Sequence, residues 1–138
     1  MLFRSFTANA FPQAGVRRQP RLDAAALGLT FAAFVGAVFA LPAWWVAPAA
    51  LLAAVLHVLR QWHWQPFATR DQPILWVLHL SHAWIPLGCA LLAFNALGWV
   101  AQPVALHALG VGALGGMVIG MITRTALGHT GRDRKSVV

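Results

Sequence analysis

The chain has no glutamate, no tyrosine and one cysteine, and only 9% of its 138 residues are charged. Each scarcity excludes something. A solitary Cys89 inside an apolar run can form no internal disulfide and reads as a small helix-packing residue. Without glutamate there is no zinc-protease motif, which needs one between two histidines four residues apart. So little charge, beside 59% hydrophobic residues and a mean hydropathy of +0.68, lies outside the composition of soluble domains. The net charge of +7 and pI near 11.9 would suggest nucleic acid in a soluble protein, but the basic residues sit at segment ends and form no single patch. No nucleic-acid partner is expected. The stretch from Arg60 to Asp71, which mixes Arg with Trp, has a composition that can bind single strands, but between two apolar runs it reads as an interfacial loop.

Charge is absent over whole membrane lengths. From Pro103 to Ile122 there is none, and about 20 such residues are what a helix needs to cross the hydrocarbon core of a bilayer. The fold class expected is all-α, a polytopic membrane helix bundle with about four transmembrane helices, roughly 24–41, 45–61, 73–96 and 103–122. The first run has no small-residue cleavage site followed by a polar region, so it is not read as a signal-peptide core. Asp23 stands where it could cap that helix, and Phe6–Arg21, with Pro12, Pro20 and three arginines, reads as the loop that leads to it. Two turns, Leu41–Trp45 and Leu97–Gln102, carry no arginine, whereas the leading segment, the middle loop and the tail carry it. By the positive-inside rule the arginine-bearing segments, and with them both ends of the chain, face the cytoplasm. Trp44, Trp45 and Trp99 then mark the outer interface, with Trp62, Trp64 and Trp76 at the inner one and Trp84 lying deep.

The last span is the organising element. Gly112, Gly116 and Gly120 recur every fourth residue and form a stripe along which another helix can pack at backbone distance. His107 lies on roughly the opposite face, at about 100° of turn per residue. Beyond it, Arg124 and the turn Gly128-His129-Thr130-Gly131-Arg132 make a basic, glycine-flanked ending that can meet headgroups, an anion or a partner, with Arg124 and Arg132 as the interfacial basic residues.

Histidine is the chemistry-bearing residue of the interior. His79, His82, Pro86 and Cys89 share a sector of about 80° on the third helix at about 100° per residue, and a polar stripe there should face protein, water or a cofactor rather than lipid. Pro86 is expected to kink that helix. His57 in the second span is flanked on its face by Ala50, Ala53 and Ala54, where a flat cofactor or another helix can come close; solvation beside Arg60 is the alternative. At a rise of about 1.5 Å per residue, His57 lies roughly 6 Å and His79 roughly 9 Å from the arginine-bearing boundary. They are the best-matched pair in depth, with His82 next, while His107 is near the opposite surface. Met117 and Met121, one turn apart, suit copper(I) or simple helix filling.

Several stretches together resemble the NnrS family of multi-pass membrane proteins. They are the His107 helix start, the ending Thr123-Arg124-Thr125-Ala126-Leu127-Gly128-His129-Thr130-Gly131-Arg132, the upstream Phe6-Thr7-Ala8-Asn9-Ala10-Phe11, and Trp76-Val77-Leu78-His79. The similarity runs from Phe6 to Arg132. It implies a protein of the bacterial inner (cytoplasmic) membrane, holding haem and copper, that acts in resistance or response to nitric oxide and nitrosative stress. It also implies further helices, since members of the family are longer, so the expected partners are the lipid bilayer and the remaining helices of a longer chain. Cofactor-binding candidates are His57, His79, His82 and His107, and metal candidates on the resemblance are His79, His107 and His129. No reaction is assigned. The alternative is a transporter or structural membrane subunit whose histidines line a proton or substrate path.

The two ends look foreign. Asp133-Arg134-Lys135-Ser136-Val137-Val138 reads as the translation of a sequencing-library adapter, and Leu2-Phe3-Arg4-Ser5 as that of its opposite strand. Residues 1–5 and 133–138 are therefore expected to be non-native tails around one membrane domain, 6–132, and are kept out of the fold reasoning. Removing them leaves the net charge positive.

Overall fold

The computed structural model describes residues 19–64, 67 and 73–129, without the side chains of Ile74, Arg124 and 127–129. The Phe6–Arg18 stretch, both tails, Arg132 and most of the middle loop lie outside the described residues. Those residues form a helical membrane bundle. Helices α1 (Pro20–Val38), α2 (Ala43–His63) and α3 (Pro73–Ala96) are followed by a continuous fourth span. This opens as α4 (Gln102–His107), widens into a π-helical segment (Ala108–Gly115) and closes as α5 (Gly116–His129). Among the described residues four helices are long and apolar enough to cross a membrane, the fourth as Gln102–Thr123, and helices are what a bilayer demands because each satisfies its own backbone polar groups.

The first helix starts earlier than the charge pattern suggests. Pro20 occupies its first turn, where a missing N–H costs nothing and the fixed φ favours entry. Asp23 is therefore inside the helix, and no side chain caps it. The helix also ends earlier, at a reversal that α3 repeats. At the end of α1, Leu41 N donates to Gly36 O at 2.8 Å and Ala40 N to Ala37 O at 3.3 Å, with Ala40 at φ 51°. At the end of α3, Trp99 N donates to Phe94 O and Gly98 N to Asn95 O, both at 2.9 Å, with Gly98 at φ 79°. Both are Schellman terminations, which need one left-handed residue. The second also has the apolar contact that accompanies the motif, Phe94 stacked on Trp99 at 5.7 Å. Asn95 Nδ2 closes that turn onto Val100 O at 2.9 Å.

Short turns bring consecutive helices back against each other. The most extensive contacts are α2 with α3 and α1 with α2, and α3 also packs on every segment of the fourth span. The side chains at these contacts are small. Ala33, Ala47, Ala50, Ala93 and Ala105 form one buried layer with Leu92, and Ala53, Ala54 and Cys89 form the next. Large apolar residues point outward instead, Phe31 being 71% and Val111 68% exposed. That inversion is expected in lipid, where close helix packing rather than burial of large side chains drives association.

Candidate functional site: a buried histidine cluster

The third layer of the interior is polar. His57 on α2 and His79 and His82 on α3 are each 2% exposed or less, as deeply buried as the alanines above them. Helical spacing places His79 and His82 on one face of α3, and that face looks at α2. The imidazoles that meet are His57 and His82, edge to face with centroids 5.7 Å apart. His79 anchors the level through its backbone, its carbonyl accepting a hydrogen bond from Gln61 Nε2 at 2.7 Å. The solvated alternative for His57 is thus set aside.

The floor of the cluster is an aromatic and ionic assembly. Trp64, expected at the inner interface, is 6% exposed, and its ring lies 4.8 Å from that of His82. The Arg60 guanidinium sits 4.9 Å from the Trp64 ring centroid, within the range of a cation–π contact. Arg60 Nε is 2.6 Å from Asp23 Oδ1. Its N–H does not aim at that oxygen, since Nε has no hydrogen-bond partner among the described residues, so the contact is one of charge. Asp23 thus ties α1 to α2 by an ion pair where the sequence suggests a helix cap. The reason is the early helix start, which carries its side chain round to face Arg60.

The roof is Thr30 of α1. Its Oγ1 donates to Ala26 O at 2.7 Å and lies 2.9 Å from His57 Nε2. Thr30 is the only hydroxyl residue in α1, so it was visible as polar, but its partner His57 is 27 positions away along the chain. Gln61, Trp64 and Thr30 were all missed as site residues for this reason.

The remaining candidates lie apart from the cluster. His107 is exposed near the other end, its Nδ1–H donating to Pro103 O at 3.2 Å. His63 is half-buried, and its Nδ1–H donates to Leu59 O at 2.6 Å. Gly112, Gly116 and Gly120 face α3: a Cβ would strike the Trp84 indole at Gly112, Ser81 Oγ at 2.5 Å at Gly116 and Leu78 Cδ2 at 2.9 Å at Gly120. The Ser81 hydroxyl turns back to Val77 O at 2.8 Å, leaving that surface smooth. Met117 and Met121 are half-buried on the same span. The side chains of Arg124 and His129, and all of Arg132, fall outside the described residues.

The donor set is imidazole, which suits iron and copper. Two features limit how those metals could be held. Among the described residues no three of His, Cys, Asp and Glu converge closely enough to enclose an ion. His57 and His82 are in ring contact, so no porphyrin fits between them as opposed axial ligands. An ion held here would therefore have to be one of low coordination number. His107, with Nδ1–H tied to a carbonyl and the rest of the ring exposed, is a residue that could hold haem iron through Nε2.

The family model described as "NnrS protein" matches residues 2–137. No curated protein and no solved structure matches the chain.

Proposed function

The chain belongs to the NnrS family, and on that premise we propose that it forms part of a haem- and copper-holding membrane protein of the response to nitric oxide and nitrosative stress. The observation that supports this reading is the layer of three buried histidines, His57, His79 and His82, inside a bundle otherwise lined by alanine. Polar groups within a membrane are costly and mark function by default. Among the described side chains, the inner cluster and His107 are places within the spans that offer imidazole to a metal. A bound iron or copper centre supplies a position at which nitric oxide coordinates.

The chain's own residues do the rest. The small side chains around the cluster let α1, α2 and α3 close over it and exclude lipid and water, and Trp64 with Arg60 and Asp23 covers it on the arginine-bearing side. The positive-inside rule supports a cytoplasmic placement of that side, and membership of the family supports the bacterial inner membrane as the bilayer. The competing reading, a proton or substrate path, requires polar groups on both sides of the cluster. Beyond Thr30 and Cys89 the interior continues as alanine and leucine, which disfavours it.

Absorption spectroscopy and metal analysis of the intact purified protein test the assignment. A Soret band and bound copper are expected, with the Soret band weakened by His107→Ala and copper lost from His57→Ala and His82→Ala. His63→Ala should change neither, since His63 is the last residue of α2, outside the buried cluster and at the interface. A protein with no Soret band after haem supplementation and no copper, or one in which all the cluster and His107 variants keep the parent spectrum and metal content, would refute it.

A further inference from the structure

His57 differs from the two other histidines with an assigned ring hydrogen bond, and Thr30 is the cause. A hydroxyl has one proton to donate and two lone pairs. The Thr30 proton goes to Ala26 O, 2.7 Å away, in the back-bond that helical threonines make to the residue four before them. Were it turned to His57 instead, Oγ1 and Ala26 O would face each other lone pair to lone pair at 2.7 Å. The 2.9 Å contact with His57 Nε2 is therefore a bond in which Nε2–H donates. A neutral imidazole carries one N–H, so the lone pair is on Nδ1. That atom is buried and has no hydrogen-bond partner among the described residues, in a side chain 1% exposed. His63 and His107 are the reverse, each donating Nδ1–H to a carbonyl of its own helix and keeping the lone pair on Nε2.

A buried acceptor left bare is a cost that a native interior seldom carries without use. The position of the lone pair also selects the ligand. Nδ1 adjoins the ring carbon that carries Cβ, so a porphyrin coming to Nδ1 would run into Cβ and the α2 backbone. A bare ion meets no such obstacle.

We propose that His57 binds a bare copper-class ion through Nδ1, that Thr30 is the positioning residue which fixes this tautomer, and that haem iron is not ligated here. The proposal rests on the cluster being a metal site. His82, whose ring centroid is 5.7 Å away, is the neighbouring imidazole of the layer. Copper stands highest among the first-row divalent ions in affinity for nitrogen donors, and Cu(I) is the state that tolerates few ligands.

Two measurements on the full-length protein in detergent test it. The first is copper(I) affinity by competition with a chromophoric chelator, for the parent, Thr30→Val, Thr30→Ser and His57→Gln. Thr30→Val keeps the shape and removes the lock, so it should weaken copper binding about 10–100-fold, as loss of a partner that orients a ligand does. Thr30→Ser should stay near the parent, His57→Gln should lose the ion, and haem content should be unchanged in all four. The second is 15N NMR of ring-labelled histidine in the metal-free protein, the His57 signals being those missing from His57→Gln. An unprotonated Nδ1 is expected in the parent and in Thr30→Ser, and a tautomer mixture in Thr30→Val. A protonated Nδ1 in the parent, parent-like copper affinity in Thr30→Val, or haem lost from His57→Gln would each overturn the proposal. A parent that binds neither copper nor haem would bring down the functional reading along with it; loss of the Thr30 effect alone would leave that reading standing.

Discussion

The two ends of the bundle are built from the same helices on opposite principles. At the end near the α1–α2 turn, Ala33, Ala47, Ala50, Ala93 and Ala105 pack around Leu92 with no polar group among them. At the other end the same α1, α2 and α3 bring together Thr30, His57, Arg60, Asp23, Trp64, His79 and His82. The dry end holds the helices at the distance alanine sets, and the polar end uses that distance to keep imidazoles out of lipid and water. Stability and specificity are thus divided along the bundle axis. Enlarging a residue should harm the dry end most, whereas the polar end should tolerate changes of shape better than losses of a partner.

The largest effect is expected from Ala50→Leu. Ala50 is fully buried between helices, and added methylenes in a close-packed site cost about 3 kcal/mol. Denaturant or thermal unfolding in micelles should show a clear loss, and parent-like stability would mean that the alanine layer is not the structural clamp. Smaller is the loss from Asp23→Asn, about 1–2 kcal/mol, between the values for exposed and buried ion pairs, because Arg60 is mostly covered and Asp23 partly open. It should shrink at high salt; a loss indifferent to salt would argue against a charge contact.

Smallest are the paired changes at the two helix terminations, which lie at the dry end. Ala40 and Gly98 occupy the same position in the same motif, and a left-handed residue bearing a Cβ costs roughly 1–2 kcal/mol. Ala40→Gly should stabilise by about 1 kcal/mol and Gly98→Ala destabilise by a similar amount, the latter through backbone strain alone since no atom lies within 4 Å of its added Cβ. If both changes shift the midpoint in the same direction, the equivalence of the two turns is wrong.

Much of the fold could be read from the sequence because a membrane leaves few choices. Uncharged runs of bilayer length must be helices, and the arginine-free turns between them fall where the structure turns. Thus the all-α class, the four spans and the NnrS family were all legible in the chain. Helix ends were legible only in part: Pro20 and the left-handed Ala40 moved α1 toward its N-terminus, and with it Asp23 became a partner of Arg60. That His79 and His82 share a face of α3 follows from helical spacing, and the depth of His57 follows from counting residues. Which imidazoles touch does not, since the approach of α2 to α3 is set by Ala53, Ala54 and their neighbours packing across the interface. Nor could Thr30, an isolated hydroxyl in α1, be matched from sequence to His57, or Trp64 to His82. One-dimensional periodicity gives the face a side chain lies on; only the packing of α1 and α3 onto α2 decides which partner waits there, and so which nitrogen of His57 keeps its lone pair.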